Sequence, residues 1–135
     1  MRDTTATGDR TEFEIALALM RAGTKVLRPL SNGLRYDLVI DEDATFLRVQ
    51  CKTGLLKDGA VQFRLYSLNA SRRFRPRTYH GEIDAFGVYC PQTGRCYLVP
   101  ISALAANNTI ASLRIEPSRN RQRAGVRQAK DFEIG

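Results

Sequence analysis

No stretch of this 135-residue chain is apolar for long enough to cross a bilayer. The longest clean run, "IALALM" at 15–20, falls far short of the roughly 20 residues that a spanning helix needs. The opening "MRDTTATGDR" lacks the apolar core of a secretory signal, so a cytoplasmic protein without a membrane partner is expected. Cysteine is scarce: Cys51, Cys90 and Cys96 form no CxxC pair and leave an odd one over. That argues against a disulfide framework and against a zinc site, and all three read as small buried apolar residues. Histidine occurs once, as His80 in a loop, where a surface or ligand-contact role suits it better than that of a catalytic base. Low-complexity blocks and internal repeats are also missing. A chain of this length and composition is expected to form one globular domain over 1–135.

Acid is the charge in short supply. Asp and Glu number 14 against 21 Lys and Arg, for a net charge of +7, and 17 of the 21 bases are arginine. They cluster: Arg72, Arg73, Arg75 and Arg77 in "RRFRPR", then Arg119, Arg121, Arg123, Arg127 and Lys130 in a basic C-terminal segment, about 117–135. Guanidinium forks match phosphate oxygens, and a basic surface draws in a polyanion. The clustering, with Phe74 and Tyr79 beside the first group, points to nucleic acid more than to a merely basic surface.

Apolar spacing predicts one helix over 11–22, stopped by Gly23, with Phe13, Ala16, Leu17 and Met20 on its inner face, extended by Ile15 and Leu19. Alternation predicts strands at 24–30, 34–40, 45–52 and 60–68, and a hairpin of "IDAFGVYC" and "CYLVPI" around "PQTGR". A short helical piece near "SALAA", a strand "SLRIE" and the basic tail follow. One helix and a meandering mixed sheet make this an α+β fold with the N-terminal helix packed on a central β-sheet. If Glu42 and Asp43 form the turn between the second and third strands, Asp37 faces Arg48 and Arg35 faces Gln50. Asp37, Arg48, Gln50 and Lys52 then share a polar face, backed by an apolar one of Tyr36, Leu38, Ile40, Leu47, Val49 and Cys51.

An acid, a neutral oxygen donor and a lysine on such a face suit metal-assisted attack on a phosphodiester. Asp37, the Gln50 side-chain oxygen and the Cys51 backbone carbonyl are oxygen ligands of the kind Mg²⁺ takes, and Lys52 is placed to steady charge or position a water. On spacing alone, a solvated strand face is the favoured reading. Glu12 has two explanations, a metal-site acid at the edge of the helix or part of a capping box, with Asp9–Glu12 and Thr11–Glu14 both at the right spacing. Asp41, Glu42 and Asp43 are explained by a hairpin turn, and Asp84 by a structural hydrogen bond at the start of a strand.

"GDRTE" on the opening helix, then "RYDLVID" and "RVQCKTG", resemble the PD-(D/E)xK nuclease superfamily, and within it the group I intron-associated homing endonucleases. The likeness continues through "GEIDAFGVYCPQTGRCYLVPI" to "LRIEPSRNRQRAGVRQAKDFEI", nearly the whole chain; archaeal Holliday junction resolvases share only its first half. The resemblance implies a restriction-endonuclease-like core, Mg²⁺ with Mn²⁺ as a substitute, double-stranded DNA as substrate, and a homo-oligomer, dimer or tetramer, because two sites are needed to cut two strands. It implies Asp37, Gln50, Lys52 and Glu12 as the catalytic set, and Asp37, Gln50, Glu12 and the Cys51 carbonyl as metal ligands. Arg35, Arg72, Arg73, Arg75, Arg77, Arg121, Arg123 and Arg127 are the expected DNA contacts, with Ser31, Asn120 and Gln122 as further candidates. Tyr36 stands where the superfamily has proline, and Gln50 where it usually has an acid. Two rivals remain: a resolvase-like or repair nuclease, and a nuclease-derived protein that binds DNA without cutting.

Overall fold

The computed structural model describes residues 4–67, 77–106, 108–116 and 127–135. The chain opens with helix α1 (Thr4–Arg21), followed by strands β1 (Lys25–Leu27), β2 (Leu38–Glu42), β3 (Thr45–Thr53), β4 (Leu55–Lys57), β5 (Ala60–Arg64), β6 (Tyr66–Ser67), β7 (Arg77–Thr78), β8 (Ala85–Cys90), β9 (Arg95–Pro100) and β10 (Ile110–Arg114). Short 3₁₀ turns cover Ile101–Ala103, the expected helical piece, and Ala129–Asp131. The central sheet runs β1-β2-β3-β8-β9, antiparallel except for the parallel β3–β8 pair, so it is mixed as expected. A second sheet, β10-β5-β4, and the small β6–β7 ribbon complete the described strands.

Two apolar clusters hold the layers together. On one face of the central sheet, Ile15 and Leu19 of α1 meet Leu38, Ile40, Val49 and Cys51. On the other, Phe86, Val88, Tyr97 and Val99 meet Val61, Phe63, Ala111 and Leu113 of the second sheet. β8 is buried along its whole length, as a strand covered on both sides must be. All three cysteines are free thiols and buried.

The helix differs from expectation at its start and in its inner face. It begins at Thr4, which puts Asp9, Thr11, Glu12 and Glu14 inside it and rules out both capping boxes. Phe13 (63% exposed) and Met20 (55%) face outward with Leu17, while Ile15, Leu19 and the Thr11 side point inward. The segment is apolar on most of its circumference, and the narrower stripe won because it lets the backbones approach. A Cβ on Gly87 would sit 2.8 Å from Ile15 Cγ2 and 3.2 Å from Val49 Cγ1, so only glycine fits where α1 crosses β8. Gly87→Ala is therefore expected to lower stability by about 1–3 kcal/mol, read as an earlier midpoint in urea unfolding. The C-terminus behaves as the sequence says. Gly23 takes φ 87°, its N–H reaches Met20 O, and Thr24 N–H reaches Leu19 O, the two bonds of a Schellman stop.

The β2–β3 hairpin is offset by two residues from the expected register. Leu38 pairs with Val49 and Glu42 with Thr45, leaving Asp43 (φ 47°) and Ala44 (φ 65°) as the turn. Both central residues have the positive φ of a type I′ turn, which an aspartate tolerates better than a glutamate does. A two-residue shift keeps every side chain on its face, so burial could not reveal it beforehand. β2 also starts at Leu38, later than expected. Tyr36 consequently leaves the helix-side face and packs against the opposite cluster.

Candidate active site

The site forms where β2 and β3 part. Asp37 is the last residue before β2, and its N–H still bonds Val49 O at 2.8 Å. Its carboxylate then replaces the missing ladder: Asp37 Oδ2 accepts the Cys51 N–H at 2.9 Å. In an extended residue the N–H and the C=O leave the strand on the same edge, so the Cys51 carbonyl opens to the gap that Asp37 fills. The Gln50 amide reaches the same carbonyl, with Nε2 donating to Cys51 O at 3.2 Å. β3 alternates as expected, Val49 and Cys51 buried towards the helix, Arg48, Gln50 and Lys52 half-buried on the other side.

Glu12 arrives from the helix. Buried Thr11 shares a 2.6 Å hydroxyl–hydroxyl hydrogen bond with Thr53 at the end of β3, which pins this turn of α1 beside the strand. Glu12 and Asp37 line one polar cleft of about 510 Å³ with Asp9, Arg28 and the loop 29–34, including Ser31. Burial raises the Glu12 pKa first, and the Asp37 charge raises it further, with Arg28 opposing. Asp37 is also raised, chiefly by burial, against the opposing pull of the Cys51 N–H and Lys52. A nearby cation would favour the charged forms that burial disfavours at Glu12 and Asp37. Among the described residues no donor reaches Asp37 Oδ1, and no three His, Cys, Asp or Glu side chains gather into a metal cluster. Glu12 and Asp37, two of the acids lining this cleft, are carboxylates that could hold a hard cation together with water.

Lys52 extends to the other side of the strand. Its Nζ donates to Tyr66 O at 3.0 Å and Tyr79 Oη at 3.2 Å. Burial lowers its pKa to about 8 despite the Asp37 charge, with Arg35 and Arg64 adding to the fall.

Of the expected DNA contacts, Arg35 is engaged within the protein. It donates to Glu82 Oε2 (3.1 Å), Ser67 Oγ (2.7 Å) and Thr78 O (2.9 Å), and lies 3.9 Å from the Tyr79 ring centre. Arg127 donates to Ala103 O at 3.0 Å, and its own carbonyl takes the Arg114 N–H. Arg77 is placed only as a residue of β7, and Arg72, Arg73, Arg75, Arg121 and Arg123 lie outside the described residues, as do Asn120 and Gln122. Arg48 is drawn off to Asp84, which accepts both its backbone N–H (2.7 Å) and its Nε (3.1 Å), the structural role expected of that acid. His80 is exposed in a turn. Sequence reasoning missed Arg28 and the Thr11–Thr53 clasp; both depend on contacts between distant segments and carry no local signal.

The family model for PD-(D/E)XK endonucleases matches residues 2–135. The chain belongs to the PD-(D/E)XK endonuclease family. Four solved chains also match. One is a bacterial homing endonuclease, I-Ssp6803I, at 23% identity and a TM-score of 0.77, covering 98% of this chain and 89% of that one. That likeness shows a shared fold. Among curated protein sequences none matches. In this PD-(D/E)XK endonuclease no described helix is long and apolar enough to cross a membrane.

Proposed function

We propose that this PD-(D/E)XK endonuclease is a Mg²⁺-dependent enzyme that hydrolyses phosphodiester bonds in double-stranded DNA, and that it is a site-specific homing endonuclease of a group I intron. One observation carries the reading: the Asp37 carboxylate accepts the Cys51 N–H where the Gln50 amide meets the Cys51 carbonyl, and it lines a polar cleft together with Glu12 of the helix. When bound, Mg²⁺ supplies polarisation of the scissile phosphate and acidification of a water. Asp37 and Glu12 would hold the charge of the ion, and Cys51 O and, once its amide turned, the Gln50 side-chain oxygen would complete the protein's share of ligands, with Mn²⁺ as a substitute. Lys52 presents its ammonium to the developing charge on the phosphate. The likeness to a homing endonuclease supports site-specific cleavage. The whole chain, 1–135, works as one domain in a cytoplasmic homo-oligomer, dimer or tetramer, so that two sites cut two strands. The arginines of 72–77 and of the 117–135 segment supply most of the phosphate contact.

A DNA-binding protein that does not cut is the second reading. It is favoured by Gln50 itself, a neutral side chain where an acidic one would hold the ion more strongly. Incubation with a randomised DNA library, with Mg²⁺ or with EDTA, separates the two. Endonuclease action gives Mg²⁺-dependent products with recurrent ends, whereas binding alone gives retarded DNA of unchanged length in both.

A further inference from the structure

We propose that Tyr79, clamped by Arg35, is a positioning residue that aims the Lys52 ammonium at the substrate. The inference rests on the endonuclease reading, in which Lys52 acts on the scissile phosphate. A lysine side chain has four rotatable bonds and is costly to hold in one pose. Here two of its three N–H donors are spent on fixed oxygens, Tyr66 O and Tyr79 Oη, and the ammonium lies 4.8 Å from the Tyr79 ring centre. Two anchors leave the third N–H one direction to point.

Tyr79 is itself held on every side. It is 3% exposed and meets Phe86 edge-on at 5.5 Å. The Arg35 guanidinium covers its ring at 3.9 Å, and its hydroxyl is hydrogen-bonded to Ser67. The same guanidinium reaches Ser67 Oγ, Thr78 O and Glu82 Oε2, so one side chain ties β6, β7 and the following turn into a single support. Tyr66, which gives Lys52 its other anchor, belongs to that β6–β7 ribbon, and its partner across the ribbon is Thr78. A surface lysine needs no such scaffold. A buried lysine satisfied merely for stability would need acceptors, but not an acceptor whose own ring is stacked and whose hydroxyl is itself hydrogen-bonded.

Tyr79→Phe keeps the ring, the stacking and the packing, and removes only the hydroxyl. In single-turnover cleavage at saturating protein, the rate is expected to fall roughly tenfold, as misaiming a reacting group does. DNA affinity without metal is expected to stay near wild type, and the melting temperature to fall only by the few degrees that the lost buried hydrogen bonds account for. In protein labelled with ¹⁵N-lysine, which has four lysines, the Lys52 Nζ signal is expected to shift or vanish in Tyr79→Phe. That signal is assigned by its loss in Lys52→Arg. A purely structural tyrosine would instead lower stability, binding and cleavage together. Wild-type cleavage by Tyr79→Phe, or slow cleavage with an unchanged Lys52 signal, overturns the inference. If the wild-type protein cuts no DNA, the endonuclease reading fails separately; an unchanged Lys52 signal in Tyr79→Phe then still overturns the anchoring, and a shifted one supports it.

Discussion

Asp37→Asn is expected to bind DNA as the wild type does and to lose nicking by roughly a hundredfold or more. Asparagine has nearly the same shape, and its side-chain oxygen accepts the Cys51 N–H that Asp37 Oδ2 accepts now at 2.9 Å. The point where β2 and β3 part therefore keeps its geometry. What disappears is the negative charge beside the Cys51 peptide, and with it most of the hold on a divalent cation. Burial already disfavours the charged form of Asp37, so neutralising it costs the metal-free fold nothing. A melting temperature at or above wild type, together with lost cleavage, is the expected pair. Plasmid nicking and a gel shift on the same preparation read both halves. Cleavage near the wild-type rate would remove Asp37 from the chemistry.

Gln50 carries the second large effect. Gln50→Leu keeps the size and removes the ligand oxygen, and cleavage is expected to fall by roughly a hundredfold. Gln50→Glu keeps the geometry and restores a charge, so activity is expected to be retained or raised, with a changed preference among Mg²⁺, Mn²⁺ and Ca²⁺. Its new charge also joins the Asp37 carboxylate beside the Cys51 peptide, so the metal-free variant is expected to be the less stable one. Cleavage rates across the three ions, measured for both variants, test this. An active leucine variant would leave Gln50 as an ordinary half-buried strand residue.

Much of this site can be read from local pattern, because β3 alternates cleanly. "RVQCKTG" puts Gln50 and Lys52 on one side and Cys51 on the other, and the structure keeps that arrangement. The β8–β9 hairpin is equally legible, with Ala85 paired to Pro100 and Cys90 to Arg95 around the "PQTG" turn. Local pattern fails where two answers bury the same residues. The β2–β3 register slips by two without exposing anything, and the choice falls to the positive φ of Asp43 and Ala44. On α1, Phe13, Leu17 and Met20 form as good an apolar stripe as Ile15 and Leu19. Only the close approach to Gly87 decides between them. One signal was present and overlooked: Asp58-Gly59, both at positive φ, closes the β4–β5 hairpin. The support of Lys52 is of another kind. Arg35, Tyr66 and Tyr79 meet it only after the chain has folded, and no spacing rule connects positions so far apart.

The most direct measurement is a single-turnover nicking rate on supercoiled DNA, titrated with Mg²⁺, for wild type and Asp37→Asn side by side. The account predicts no wild-type nicking in EDTA, a rate that rises and saturates with Mg²⁺, and an Asp37→Asn curve that stays near zero at every concentration while DNA binding persists. Nicking by the wild type in EDTA, or equal Mg²⁺ curves for the two proteins, would contradict it.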